Sequence, residues 1–229
     1  MLPVIRGRFD SEEKLSWVLA ALAGLLGATA FTHSSGYFVT FMTGNAQRAT
    51  LGYFRAEQWL SLSAGLLIAA FIAGVVSASL CRRRLWPTRP HGATVLTTLS
   101  LTVATVVDAT IYSGNARPLP LLPIAFVTFG IGALNTTFVR NGEVSIPLSY
   151  VTGTLVKMGQ GIERHISGGE LADWLGYFLL FASFTGGAAG GGFISLFTGG
   201  TGMLGIASVI CAFTTGYTFL YADRRALWK

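Results

Sequence analysis

The chain has 229 residues, of which 52% are hydrophobic and only 11% are charged. A soluble domain ordinarily carries about 25% charged residues, so this composition excludes an ordinary soluble protein. The charges are also bunched: 33 uncharged residues separate Lys14 from Arg48, with His33 counted as neutral, and 49 separate Asp173 from Asp223. Since roughly 20 apolar residues cross a bilayer, the sequence predicts a helical protein that crosses the membrane several times.

Six spans are predicted in chain order, after a polar leader formed by residues 1–14. The first apolar segment is longer than the core of a cleavable signal peptide, so we expect it to be retained. The predicted spans are 15–32, 58–80, 93–112, 119–138, 174–197 and 203–221. The glycine-rich run 198–202 is the predicted turn between the last two spans. Residues 222–229 form a polar tail.

Two polar stretches, residues 41–48 and 150–157, lie between apolar segments and resemble each other at an offset of 109. Each contains an aromatic residue, a Thr-Gly pair, a small polar residue and, three positions further on, a basic residue. The sequence therefore predicts two repeats, 15–116 and 117–221, of three spans each. Because three is an odd number, the repeats would have opposite orientations in the membrane, as in many transporters.

Basic residues predict the orientation. Thirteen of the 16 Lys and Arg residues fall on the side that holds the amino end, while Arg48, Arg55 and Arg117 fall on the other. Cytoplasmic segments retain basic residues, so the leader, the tail and both termini are predicted to be cytoplasmic. The net charge of +6 then reflects topology, and no basic stripe interleaved with aromatic residues indicates a nucleic-acid partner.

The two Thr-Gly stretches carry the predicted binding chemistry. A Thr at a helix start can cap free N–H groups, and the Gly allows a ligand to approach the backbone. The helix start is partly positive, and a basic residue on nearly the same face adds to that charge. We therefore expect a site for a small polar or anionic solute. The predicted substrate-binding residues are Thr43, Gly44, Asn45, Arg48, Asn135, Thr152, Gly153, Thr154 and Lys157.

Two placements of these stretches stay open from the sequence. In one, each is a half-helix that re-enters the bilayer, and the two Thr-Gly ends meet near the midplane, which is tolerated where irregular backbone lines a polar cavity. In the other, both are amphipathic helices at the membrane surface whose basic residues reach the headgroups. Asp108 is the one acidic residue well inside a predicted span, so it is a candidate for proton coupling.

Enzymatic chemistry is not expected. No nucleophile and base have the spacing of a catalytic pair, and no set of residues has the spacing of metal ligands, so we predict no cofactor and no metal. Cys81 and Cys211 indicate neither a disulfide nor a metal site.

The motifs at residues 42–45, 132–138 and 150–157 resemble the paired signatures of the YoaK-like family, small bacterial membrane proteins with six spans and unknown function. The resemblance covers about residues 15–221 and implies a membrane protein of transporter type. It also implies an acidic residue near the position of Gly27, facing Asn135. Gly27 lacks that acid, which leaves Asp108 to compensate or the protein without coupling.

The sequence thus predicts a transporter or channel with its site between the repeats. The alternative is a membrane scaffold without transport, whose Gly-rich helix faces bind a partner. The bilayer and a small solute are the expected partners, and a homodimer is left open because a chain of this length has little room for a wide pore.

Overall fold

A computed structural model of the chain describes residues 11–86, 91–113, 118–140 and 142–219. Most of the predicted leader, the tail 222–229 and Arg117 lie outside the described residues. The described part is helical apart from one small hairpin. Its helices are α1 (Ser11–His33), α2 (Met42–Phe54), α3 (Gln58–Arg84), α4 (His91–Ile111), α5 (Leu121–Leu134), α6 (Val151–Ile166), α7 (Ala172–Ser195) and α8 (Gly200–Tyr217).

Five of these helices, α1, α3, α4, α7 and α8, are long and apolar enough to cross a membrane. They coincide with five predicted spans, and the predicted turn at 198–202 contains the start of α8. The fourth predicted span, 119–138, is a helix of only 14 residues, α5. It ends early because Thr136 and Thr137 turn back and donate their hydroxyls to the carbonyls of Ala133 and Leu134.

A two-stranded antiparallel hairpin follows α5. Its strands are β1 (Val139–Arg140) and β2 (Glu143–Val144). This hairpin was not predicted from the sequence, and it lies just after the fourth predicted span, 119–138. The hairpin carries Arg140, whose guanidinium lies 2.7 Å from the Glu12 carboxylate at the start of α1.

The long helices pack in a defined set of pairs. Helix α1 packs along α7, α3 along α5, and α4 against both α5 and α8. The short helices α2 and α6 each pack against the long helix that follows, α3 and α7 respectively. The buried core between them is aliphatic, with Leu19, Leu67, Leu101, Ile131 and Leu204 almost fully enclosed.

Glycines set the closeness of the α1–α7 contact. A Cβ on Gly24 would collide with the carbonyl oxygen of Phe184, and a Cβ on Gly187 would collide with the carbonyl of Ala21. Each helix therefore presses a glycine onto the backbone of the other. Such close approach lets the two backbones make van der Waals contact along their length, which is a main source of helix association in lipid.

The α3–α5 contact has the same construction. A Cβ on Gly74 would collide with the carbonyl oxygen of Phe129, and a Cβ on Gly132 would collide with the carbonyl of Phe71. The two contacts are reciprocal in the same way. Each helix contributes a glycine that meets a carbonyl of its partner, and a carbonyl three residues before that glycine, which meets the partner's glycine.

A row of hydroxyls joins α4 to α8 and shows that these helices are antiparallel. Thr98 meets Thr215 at 3.0 Å, and Thr105 meets Ser208 at 3.2 Å. Pairs that are later on α4 are thus earlier on α8. Hydroxyls paired across helices satisfy polar groups where no water is at hand.

The bundle has two ends, the Glu12 end and the His33 end, each named after a residue near a terminus of α1. At the Glu12 end, where α1 begins, Arg140 reaches Glu12 and Arg82 donates to the carbonyls of Thr136 and Thr137. At the His33 end, where α1 stops, the N–H of Leu119 donates to the His33 carbonyl at 2.5 Å.

The glycine contacts give a stability prediction with a matched control on the same helix. Gly74→Ala must push α3 away from α5, whereas Gly65→Ala adds a methyl group where nothing lies within 4 Å. We expect Gly74→Ala to lower the free energy of unfolding by about 1–3 kcal/mol. We expect Gly65→Ala to be neutral or to stabilise by up to about 1 kcal/mol, through helix propensity. Thermal unfolding in detergent measures both, and equal midpoints for the two variants would contradict the packing described.

Candidate functional site

The chain between α1 and α2 turns back along α1 before α2 begins. The side chain of Thr40 lies beside Gly27, since a Cβ on Gly27 would be 2.8 Å from the Thr40 hydroxyl. Gly27 is six residues before the end of α1, which corresponds to about 9 Å along the helix axis. Val39 in the returning segment is fully buried. Helix α2 therefore starts well inside the bundle and runs back toward the His33 end.

The chain before α6 is held in a similar way at the other end. The amide of Asn135, just after α5, donates to the Ser149 hydroxyl at 2.8 Å and accepts the Ser149 N–H at 3.1 Å. Leu148 beside it is buried, as Val39 is in the first segment. Asn135 is thus a fixed brace between α5 and the start of α6.

The Thr-Gly pairs themselves open both short helices. The N-cap residues are the aromatic Phe41 and Tyr150, neither with a side-chain cap, so the expected Thr cap does not occur. The two rings lie directly over Gly44 and Gly153, where a Cβ would collide with them. Thr43 and Thr152 are exposed on the first turn.

The small polar residue of each stretch is buried. Asn45 is 1% exposed and donates to the Phe38 carbonyl at 2.8 Å, while its Oδ1 is buried with no hydrogen-bond partner. Thr154 is 4% exposed and donates to the Tyr150 carbonyl. A buried acceptor without a donor is costly, so Asn45 Oδ1 is available to accept a hydrogen bond from a water or a solute.

The two basic residues differ in their surroundings. Arg48 is half-buried, donates to the Gly36 carbonyl and has its guanidinium carbon 4.2 Å from the centre of the Phe38 ring. Lys157 is exposed, and its ammonium lies 5.8 Å from the Tyr177 ring. Arg48 is therefore held by a hydrogen bond and a cation–π contact within its own segment. Within the residues that the structure describes, Lys157 has only a long cation–π contact.

A polar cavity of about 350 Å³ lies at the Glu12 end, between α1, α6, α7 and the segment before α6. It contains Thr154 and Lys157 of the predicted site, together with residues that the sequence analysis did not select. Those used below are Glu13, Ser145, Arg164, Asp173 and Tyr177. The signals for them in the sequence were weak, because they come from α1, α6, α7 and the segment before α6, and no local motif joins them.

The two Thr-Gly stretches are not brought together. Gly27 of α1 lies beside the segment that leads into α2, whereas Ser16 of α1 lines the cavity with Thr154 of α6. Eleven residues of α1 separate these positions, or roughly 16 Å along the axis. The glycine contact between α1 and α7 lies between them. The residues of the predicted site therefore form two clusters, one toward each end of the bundle.

Asp108 lies near the end of α4 and is 2% exposed. Its carboxylate accepts a hydrogen bond from the hydroxyl of Thr201 in the first turn of α8, at 2.5 Å. This position is at the His33 end, apart from the cavity at the Glu12 end. A carboxylate near a helix start is favoured electrostatically, so Asp108 also helps to hold α4 against α8.

An arrangement of membrane-length apolar helices with two short helices folded back among them defines a polytopic membrane protein. The chain belongs to the family described as a protein of unknown function, DUF1275, whose model matches residues 15–217. The name YoaK-like, which rests on the sequence motifs, stays a prediction. No curated protein and no solved structure matches the chain.

The Asn135 brace can be tested by its removal. Asn135→Ala leaves the Ser149 N–H without an acceptor, so we expect a loss of about 1–3 kcal/mol in stability. Amide hydrogen exchange should also become faster in residues 145–150. Gln160→Ala on the exposed side of α6 is the control and should change neither quantity. Unchanged exchange in the Asn135 variant would show that the brace does not position α6.

Proposed function

We propose that this protein carries a small polar or anionic solute across the bacterial inner membrane, and that its site lies between two inverted repeats of three spans. The observation that carries the proposal is the polar cavity at the Glu12 end, which reaches the buried Thr154 in the first turn of α6. Polar residues inside a membrane bundle are costly and usually serve passage or binding.

The inverted repeats are supported by the reciprocal glycine contacts. Positions 21 and 24 of α1 correspond to 129 and 132 of α5 at an offset of 108, and positions 71 and 74 of α3 correspond to 184 and 187 of α7 at 113. Exchange of the two halves therefore converts the α1–α7 contact into the α5–α3 contact. The antiparallel pairing of α4 with α8 supports the same relation, because these are the third helices of the two repeats. In this proposal α5 is the shortened fourth of six spans.

The chemistry of the cavity favours an anion. Lys157 and Arg164 line it, and no carboxylate within 4 Å of either is found in the described part of the chain. The carboxylates of Glu13 and Asp173 also line the cavity, so its lining carries both signs of charge. An anion would bind on the α6 side, where the Lys157 ammonium and the Arg164 guanidinium can donate to carboxylate or phosphate oxygens.

The Glu12 end is the cytoplasmic end in this proposal. Arg82, Arg140, Lys157 and Arg164 gather there, whereas Arg48 lies toward the His33 end. Retention of basic residues in the cytoplasm supports this orientation. The cavity would then face inward, and the closely packed α1–α7 contact would separate it from the other side, as in a carrier that alternates its access.

A scaffold function is the second candidate. The observation that favours it is the close packing of glycines against backbone carbonyls between α1 and α7, which lies between the two clusters of polar residues. A carrier and a scaffold differ in one measurable property, which is flux.

We expect the purified protein in liposomes to take up a solute from a panel of small carboxylates, phosphate-type anions and neutral polar solutes. Lys157→Gln and Arg164→Gln should each weaken uptake of an anionic solute by about tenfold at low concentration, because each removes a charged hydrogen bond. Radiotracer uptake measures this.

Arg83→Gln is the matched control for these variants, because Arg83 is exposed at the same end of the bundle and is not part of the cavity. It should leave uptake unchanged. If a folded and inserted protein moves no solute of the panel, transport is rejected and the scaffold becomes the candidate to test.

Proton coupling through Asp108 is a separate part of the proposal. Asp108→Asn keeps an acceptor for the Thr201 hydroxyl but cannot ionise, so it should retain the fold. We expect an imposed pH gradient to accelerate uptake by the native protein and to have no effect on this variant. Glu57→Gln removes an exposed carboxylate and should behave like the native protein. An Asp108 variant that still responds to the gradient would exclude this role.

A further inference from the structure

The residues that line the cavity at the Glu12 end have equivalent positions at the His33 end. Under the proposed repeat, Thr154 and Lys157 correspond to Asn45 and Arg48 at an offset of 109, and Gly176 and Tyr177 correspond to Ser63 and Ala64 at 113. The α1 residue Ser16 corresponds to Ile124 of α5 at 108. Each lining element of the cavity therefore has an equivalent at the other end.

The equivalent positions are closed to solvent. Ser63 is 1% exposed and Ala64 2%, whereas their equivalents Gly176 and Tyr177 in the open cavity are half-buried. The pair Ile124 and Ser16 is buried at both ends, at 0% and 2% exposed. One polar group in this closed region has no partner, because the Oδ1 of Asn45 is buried without a donor. An unpaired buried acceptor is unusual in a region that is only core, and it is expected where a solute or water binds part of the time.

The residues that cover this region are identified by comparison with the open side. Arg48 donates to the Gly36 carbonyl and stacks on Phe38. The equivalents of Gly36 and Phe38 are Ser145 and Pro147, and both line the open cavity. At the open end Lys157, the equivalent of Arg48, instead leans toward Tyr177 on α7. On the closed side, Arg48 is thus hydrogen-bonded to the segment that precedes its own helix. On the open side, Lys157 instead contacts the neighbouring helix α7.

We propose that the His33 end holds a second, closed copy of the solute cavity, lined by Asn45 and Ser63, and that Arg48 and Phe38 form its gate. Opening breaks the hydrogen bond from Arg48 to the Gly36 carbonyl and its stacking on Phe38, which exposes Asn45 Oδ1 to solute. This inference rests on the proposed function, since the second cavity would be the position from which the solute enters or leaves on the other side of the membrane.

Thiol accessibility tests the gate without any need for a solute. In a background with Cys81→Ser and Cys211→Ser, the Ser63→Cys variant places a thiol in the closed region. A membrane-impermeant maleimide applied to permeabilised proteoliposomes should label it slowly. Adding Arg48→Gln should raise the labelling rate by about tenfold, because losing a charged hydrogen bond shifts a two-state equilibrium by that order.

Arg55→Gln is the matched control. Arg55 is the exposed C-cap residue of α2, the helix that also carries Arg48, so the variant removes the same positive charge from the same helix. It should leave the labelling rate of the Ser63→Cys thiol unchanged. Phe38→Leu, which removes only the stacking surface, should raise the rate in the same direction as Arg48→Gln. It carries the test if Arg48→Gln does not elute as a folded protein.

The gate is overturned if adding Arg48→Gln or Phe38→Leu leaves the labelling rate of the Ser63→Cys thiol unchanged, in proteins that elute as folded. The two proposals fail separately. Flux without any effect of Arg48 on labelling rejects the gate and keeps the transporter. Labelling that depends on Arg48 in a protein without flux rejects the transporter and retains a gated polar cavity.

Discussion

The arrangement of the long helices depends on the contact of a glycine with a carbonyl oxygen of the facing helix. Gly24 and Gly187 join α1 to α7, and Gly74 and Gly132 join α3 to α5. In a bilayer, burial of apolar side chains does not drive helices together, because lipid tails are as apolar as leucine. Close backbone approach supplies the attraction instead, and it fixes the spacing that leaves room for the short helices beside α3 and α7.

That spacing decides where polar groups can lie. The close α1–α7 contact leaves no room for a short helix between them. Helix α2 instead packs against α3 toward one end of the bundle, and α6 packs against α7 toward the other. Polar backbone in the segments before α2 and α6 is acceptable because it is buried in protein and braced, by Thr40 near Gly27 in one half and by Asn135 and Ser149 in the other. The residues of the predicted site consequently form two clusters, with the packed α1–α7 contact between them.

Much of the helix plan could be predicted from hydropathy, because α1, α3, α4, α7 and α8 are long apolar runs. The early end of α5 could not, since Thr136 and Thr137 are compatible with a helix until their hydroxyls bond back to it. The repeated motifs could not predict what each of the selected residues contacts. Arg48 and Lys157 look equivalent in the sequence, yet only the fold determines that a carbonyl and a ring are within reach of one of them.

The difference between these two residues follows from what each segment offers. The segment before α2 has Gly36 with a φ of +71° and an aromatic ring two residues later, so a planar guanidinium can donate to the carbonyl and stack at once. The segment before α6 has Pro147 in place of the ring, and Lys157 has a compact ammonium that gains less from stacking. Arg48 is thus held by its segment more firmly than Lys157 is by its own. In the proposed repeat, this difference is a physical reason for the cavity beside Lys157 to be open and for its proposed counterpart beside Arg48 to be closed.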